Sequence, residues 1–417
     1  MRETAESLPE SRAPEGVLFV ESGETGGGSA ESMYQHLRAI DRRRYRPVVV
    51  YLNEHRYVER VRQLGFPVHV LRDRILSAQT HRRTRTVMLR GRAAMLRLNV
   101  PGAYKRFARI AHRSTVRSLL RIIRDEKIEI LHLNVQVARD LFGLFAAERA
   151  GVICICHLRS ADPRMPPSLF GKELAAYANR VASAFVANSG TTERFWLEKG
   201  LDRAKMSRVY NGVPIERVVP LNLSVKYPAV RNARYVVGCV ASLRDELKVD
   251  AFLLKAFKRF LERQPDSVLL IIGDGPMKAV LERTAIELNM ADNVVFGGFH
   301  PEPYRVLAGL DASLVITHHD SFGRVALESL LSRTPLIATD AGSIRELIED
   351  GVNGVIVPYG DEHALAAALE RVVSDTFFRQ MIVENGYRTV CDRFSVDRYA
   401  AAIDGIYQTQ LRSRRSA

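Results

Sequence analysis

Apolar, β-branched runs alternate with stretches of helical period through most of the chain, a rhythm that predicts an α/β architecture built on parallel sheets. The first half opens with the strand "GVLFVES", the glycine-rich turn "GETGGGSA" and a helix through "ESMYQHLRAI". Strands follow at "YRPVVVYL", "FPVHVL", "IEILHLN", "VICICHL" and "AFVANS", with the helix "ARDLFGLFAAERAG" between two of them. The rhythm restarts at "RYVVGCVASL" and runs through "SVLLIIGDG", "NVVFGGF", "ASLVITHHD", "TPLIATD" and "NGVIVPY", with helical segments between. Two doubly wound sheets are therefore predicted, and their ligand crevices should lie beyond the carboxyl ends of the strands. The stretch 213–233 holds three prolines and no sustained period, so it is assigned as the linker. The predicted organisation is a lead-in 1–15, a first domain 16–212, the linker, a second domain 234–394, and a terminal helix with a basic tail over 395–417.

A length of 417 residues fits this division, because single cores stop growing well below that size. Composition, 47% hydrophobic and 26% charged, is that of a soluble globular protein, and no apolar run approaches bilayer length. The first fifteen residues lack the apolar segment of a signal peptide and read as a disordered lead-in. Cys154, Cys156, Cys239 and Cys391 have neither disulfide-framework nor zinc-site spacing, so a reducing, cytoplasmic setting is expected. The net charge of +14 is concentrated: residues 72–124 hold fifteen Lys or Arg against one acid, Asp73. Met88, Leu89, Met95 and Leu96, then Phe107, Ile110 and Leu119, fall between these cations at roughly helical spacing. The segment reads either as a solvated face of ordinary helices or as a surface that docks on anionic lipid headgroups. No nucleic-acid motif accompanies it, and nucleic acid is not expected as a partner.

Four stretches carry candidate chemistry. Gly26, Gly27 and Gly28 permit backbone angles that turn amides toward an anion at a helix N-terminus, although neither a P-loop nor a dinucleotide fingerprint is present. In "IIGDGP", Gly273 and Gly275 sharpen a turn at a strand's carboxyl end, a candidate wall of the cleft. Arg244 and Lys248 form either a solvated charged turn or a pair of cations for a diphosphate and its developing charge. In "HHDSFGRVALESLL" a helix should begin near Gly323, with Glu328 on its second turn. Unpaired amides at Ser321 to Arg324 would suit phosphate. Asp320 is then a helix cap or an acceptor for a ligand hydroxyl. His132, His157, Arg159 and Asp162 lie at or after first-half strands, placing them as candidates for the opposite wall. No metal-ligand pattern is present, and no metal is expected.

Taken in order, these pieces resemble the family 4, or group 1, retaining glycosyltransferases of GT-B fold. The likeness is unbroken in the second half from "VVGCVASLRDELKVDAFLLKAF" through "LLIIGDGPMKAVLERTAIELNMADNVVFGGF" to "DASLVITHHDSFGRVALESLLSRTPLIATDAGSIRELIEDGVNGVIVPYGD". It is looser in the first half, through "GETGGGSAESMYQHL", "ILHLNVQ", "VICICHLRS", "VANSGTTERF" and "RVYNGVP", and absent from 72–124. The resemblance implies two Rossmann-like domains facing a central cleft, and a sugar moved from a UDP- or GDP-sugar to an acceptor hydroxyl without metal or cofactor. It puts sugar hydroxyls on Asp320, the ribose on Glu328, and the donor diphosphate on Lys248 with Gly27 or Gly28. Backbone groups of Phe322, Gly323, Arg324 and Val325 would meet sugar and phosphate.

Three departures stand out. Asp320 replaces the family's usual Glu, the family arginine before the lysine falls near Ser242 rather than Arg244, and the second histidine of HxH falls on Asn134. His157 remains available as a catalytic contact to acceptor or sugar, and Asn134 and Arg159 are candidates on the acceptor side. The expected acceptor is a lipid-linked or saccharide intermediate at the inner membrane face. A non-catalytic sugar-nucleotide-binding scaffold and a sugar-nucleotide epimerase of the same fold are the alternatives.

Overall fold

Parallel pairing organises both halves. The computed structural model describes residues 13–24, 26–73, 76, 103–165, 170–244 and 246–416. The first sheet comprises β1 (Glu15–Glu21), β2 (Tyr45–Tyr51), β3 (Val68–Val70), β4 (Ile128–Leu133), β5 (Ile153–Leu158), β6 (Ala184–Ala187) and β7 (Met206–Arg208), in the order β3-β2-β1-β4-β5-β6-β7. The second comprises β8 (Val236–Val240), β9 (Val268–Ile272), β10 (Val294–Gly298), β11 (Ala312–Val315), β12 (Leu336–Thr339) and β13 (Val355–Val357), in the order β10-β9-β8-β11-β12-β13. Chain order reverses between β1 and β4 in one sheet and between β8 and β11 in the other, so crevices open there. The glycine-rich turn follows β1, Lys248 follows β8 and Asp320 follows β11. Topology alone therefore brings the sequence's main candidates to one cleft, as the facing doubly wound sheets predict.

Strand β1 is buried at all seven positions because helices cover both faces of the sheet, which is why it reads as a continuous apolar run. Leu18, Val20, Val48 and Val50 point into one core, and Val17, Phe19, Val49 and Tyr51 into the other. The second core is closed by the last helix of the chain, Val396–Ser416, through Tyr399, Ile403, Tyr407 and Leu411, spaced for one helical face. The chain thus returns to the first domain, crossing where Val213 donates to the Phe394 carbonyl (2.9 Å) and Val396 to that of Val213 (3.0 Å).

Several boundaries differ from expectation. Glu15, assigned to the lead-in, is the first residue of β1, and the basic tail stays helical to Ser416. Within the assigned linker, Leu223, Tyr227 and Val230 are buried with Leu270 and Ile272 of β9, so that half of it packs on the second sheet. In the basic segment, Met88, Leu89, Met95 and Leu96 lie outside the described residues. The helices Ala103–Ala111 and Arg113–Asp125 spend their apolar face on the protein itself, burying Ala108, Val116, Leu119 and Ile123 in the first core, while Ile110 is exposed. Among the described residues no helix is long and apolar enough to cross a membrane.

Candidate active site in the interdomain cleft

The two sheets face each other across a cavity of about 1200 Å³, walled on one side by Gly26 to Gly28 and on the other by Lys248, Asp320, Arg324 and Glu328. Helix α1 (Gly28–Ala39) starts at the glycine turn, and helix α2 (Arg56–Gln63) follows β2 on the same wall. Helix α3 (Gly190–Glu198) lies at the domain junction, and helix α4 (Arg324–Leu331) carries the acid pair of the opposite wall.

The loop before α4 is set by its backbone. Gly323 caps the helix at φ 81, a left-handed angle that costs a side-chain-bearing residue roughly 1 kcal/mol. Gly342, at φ 60, passes so near Asp320 that an added Cβ would lie 1.9 Å from its carbonyl oxygen. Phe322 is buried beside Tyr210 and Phe394, so its ring anchors the loop and only its backbone is available. Asp320 Oδ1 accepts from the Phe322 amide (3.2 Å), and Lys248 Nζ lies 2.7 Å from Oδ2. Burial alone would raise the Asp320 carboxyl. The Lys248 ammonium and the amides of Phe322 and Gly323 outweigh it and hold the group below the usual carboxylate range. Gly323, and not Asp320, is therefore the helix cap; Asp320 holds the preceding loop with one oxygen and turns the other to Lys248.

Glu328 is buried one turn into α4, with Oε1 2.9 Å from Arg324 Nε. Burial, with the neighbouring Glu31 charge, raises its pKa despite Arg324 and Arg56. Arg324 also reaches across the cleft, 3.4 Å from Glu31 Oε1 and 3.4 Å from Ser32 Oγ on α1. For Glu31, burial is outweighed by Arg324, Tyr57, Gln35 and Arg60, and its carboxyl is lowered. The helix bearing both acids is thus tied to the opposite domain by a network of alternating charge.

Gly27, Gly28, Arg244 and Val325 line the cavity. Gly275 does not. At φ 148, its added Cβ would strike the Leu243 carbonyl at 2.3 Å, so the glycine serves close packing between loops. Ser321 turns to the domain junction, where its Oγ accepts from the Ala161 amide (2.9 Å) and its carbonyl from Thr192 Oγ1 (3.2 Å) on α3. At the same junction the Glu346 carboxylate caps α3, accepting from the Gly190 (2.7 Å) and Thr191 (3.0 Å) amides.

Three candidates for the first-domain wall lie behind it instead. His157 is wholly buried between His132 and Arg159, with Nδ1 3.2 Å from His132 Nε2. Asn134 is buried, donating to Glu21 and to the Ser29 carbonyl. Arg159 spends its guanidinium on Asn134, Asn211 and the Tyr399 hydroxyl, bracing the returning helix. The strand-end positions were legible; the direction of each side chain was not, because Tyr399 of the last helix covers His157 and Arg159, while Asn134 turns in to Glu21 and Ser29. Beside the expected glycines, the first-domain wall is formed by Glu31, Arg56, Tyr57 and Arg60, which were missed. The available signal was an acid in the first turn after the glycines and the "HRYVER" helix start. Among the described residues no group of three or more His, Cys, Asp or Glu is placed to hold a metal.

Comparison with known proteins agrees with this geometry. A model of the glycosyltransferase family 4 type matches residues 26–217, and one of the glycosyl transferases group 1 matches 226–389. A lipopolysaccharide core biosynthesis glycosyltransferase, LpsE, of Rhizobium meliloti is 30% identical over 194 residues, 43% of this chain and 57% of its own. The chain thus spans little more than half the length of that relative. The N-acetyl-α-D-glucosaminyl L-malate synthase of Bacillus anthracis is 27% identical over 304 residues, 70% of this chain and 77% of its own. The solved structure of HepE from Anabaena, in complex with UDP and glucose, superposes with a TM-score of 0.77 at 20% identity, covering 94% of this chain and 99% of that one. Sucrose-phosphate synthase from Thermosynechococcus elongatus gives 0.74 at 15%, covering 96% and 100%.

Proposed function

Because this chain belongs to the group 1, family 4 glycosyltransferases and has the GT-B fold, we propose that it moves a hexosyl group from a UDP- or GDP-sugar to an acceptor hydroxyl with retention at the anomeric carbon. The observation that carries the reading is the cleft itself. Lys248 meets Asp320 on one side and Arg324 meets Glu328 on the other, at the start of one helix facing a glycine turn. In this reading Asp320 accepts from sugar hydroxyls, Glu328 from the ribose, and Lys248 turns from Asp320 to the diphosphate. Cations and amides held in place before reaction stabilise the leaving diphosphate, and no carboxylate is assigned as nucleophile. The departing oxygen takes the acceptor proton on the face it leaves, so the new bond keeps the old configuration.

Similar proteins, among them the UDP-bound HepE and a lipopolysaccharide core glycosyltransferase, support a nucleotide-sugar donor and a place in polysaccharide, lipopolysaccharide or glycolipid synthesis. The acceptor is then a lipid-linked or saccharide intermediate, met on the cytoplasmic side. The departures that point to a non-catalytic scaffold are Asn134, which lies behind the cleft wall, and Ser242, which lines the cavity beside Lys248; with Lys248 and Arg324 in place, nothing in the geometry favours the scaffold or the epimerase. A thermal-shift screen of UDP- and GDP-sugars tests the donor: one nucleotide class should raise Tm in the wild type and fail to do so in Glu328→Ala. No shift with either class would remove the reading.

A further inference from the structure

On the first-domain wall, at the start of α2, sits a cation whose charge no carboxylate meets in an ion pair among the described residues. Arg56 Nη2 donates to the Gly26 carbonyl (3.2 Å) and to the Tyr57 hydroxyl (3.1 Å). Its Nε and Nη1 are buried and have no hydrogen-bond partner. Next to it, His55 Nδ1 accepts from the Tyr57 amide (3.4 Å), which leaves the proton on Nε2, and that atom too is buried and without a partner. Both residues line the cavity. The guanidinium carbon lies over two rings, 4.9 Å from the centre of Tyr57 and 4.5 Å from that of Phe299, which comes from the opposite domain and is 59% exposed.

Buried N–H donors without acceptors are costly, and the carboxylate that feels the Arg56 charge, Glu328, is not within ion-pair distance of it. Such groups persist in folded proteins where a ligand satisfies them. Three cations of the inner cleft are already engaged: Lys248 pairs with Asp320, Arg324 with Glu328 and Glu31, and Arg60 with Glu31, while Arg244 also lines the cavity. A diphosphate or another anion entering the cleft needs cation beyond these pairs. The packing also ties Arg56 to the glycine turn, since a Cβ at Gly26 would lie 2.8 Å from the Tyr57 ring and 3.4 Å from Arg56 Cγ.

We propose that Arg56 and His55 form an anion subsite on the first-domain wall, which receives a phosphate or carboxylate of one substrate once the exposed Phe299 ring moves off the guanidinium. The inference rests on the reading of the cleft as donor and acceptor site, and its ligand comes either from the donor's diphosphate or from an anionic acceptor.

The test is binding of inorganic phosphate by calorimetry, alone and with saturating UDP or GDP, to the wild type, Arg56→Gln and His55→Asn. Asparagine keeps a good helix cap while removing the Nε2–H donor, so that variant remains informative if Arg56→Gln folds poorly. Phosphate should bind the wild type, about tenfold or more weakly to Arg56→Gln, and several-fold more weakly to His55→Asn. Competition by the nucleotide then assigns the subsite to the donor, and simultaneous binding assigns it to the acceptor. Phosphate affinity equal in the wild type and both variants, or absent in all three, overturns the subsite. Phosphate bound through Arg56 with neither nucleotide bound would instead count against the glycosyltransferase reading and leave the subsite standing.

Discussion

The residue that concentrates the chemistry is Asp320. It is one methylene shorter than the glutamate usual in its family, yet the loop folds it onto the Phe322 amide and the Lys248 ammonium, so reach is traded for a fixed position. Replacing it by Asn keeps the shape and removes the charge, and kcat/KM should fall by about 10²-fold or more, as for other preorganised electrostatic contacts. Asp320→Glu should leave more activity than Asp320→Asn if charge at this point, not length, is what matters; steady-state kinetics on one donor decides it. A second residue makes a pH prediction. Glu21, at the end of β1, accepts from the Gly23 amide (2.8 Å), Ser29 and Asn134 beneath the glycine turn, and burial pushes its carboxyl up to about 7. The folded state therefore holds this proton where the unfolded chain has released it. Stability from this group is highest below the unfolded pKa of 4.5 and declines as pH rises toward 7, by about 3 kcal/mol in total. Glu21→Gln should flatten that decline in unfolding curves taken between these limits; an unchanged slope would remove Glu21 as its source.

At the scale of elements, the order of strands and helices was readable because each period matches its burial. β1 is apolar throughout since both its faces are covered, and the last helix shows its buried face at Tyr399, Ile403, Tyr407 and Leu411. The start of α4 near Gly323 and the place of Glu328 on its second turn were also readable, from glycine and spacing alone. What could not be read was which strand-end side chains face the cleft. His157 and Arg159 are covered by Tyr399 of the last helix, more than two hundred residues away in sequence, and Asn134 is turned in to Glu21 and Ser29. The glycines of this region divide in the same manner, Gly275 serving loop packing and Gly323 the site. Gly323→Ala forces φ 81 on an alanine and brings its Cβ to 3.1 Å from Leu347, so we expect a loss of about 1–3 kcal/mol in denaturant unfolding and a larger proportional loss of donor affinity.

For the whole molecule, the domains are joined by the Arg324–Glu31 contact across the cleft, by Glu346 capping α3, and by the last helix, which returns to the first domain. Removing residues 396–416 takes away four buried side chains that each contribute roughly 1.5–3 kcal/mol, a total comparable to the whole stability of most domains, so the truncated chain should accumulate poorly as folded protein. Membrane attachment is a separate matter. The apolar face of 103–125 is spent on the core, but Arg106, Arg113, Arg117 and Arg121 stay exposed, so any attachment through these helices should be electrostatic: sedimentation should show preference for anionic over neutral vesicles at low salt that fades as salt rises.

The central claim, that the cleft transfers a sugar from a nucleotide, is most directly met by labelled nucleotide release from UDP- and GDP-sugars by the wild type, Lys248→Ala and Glu328→Ala. Release by the wild type with one nucleotide class, reduced about 10²-fold or more in both variants, is the expected result. Nucleotide bound by the wild type but released from no donor with lipid-linked or saccharide acceptors present would contradict it.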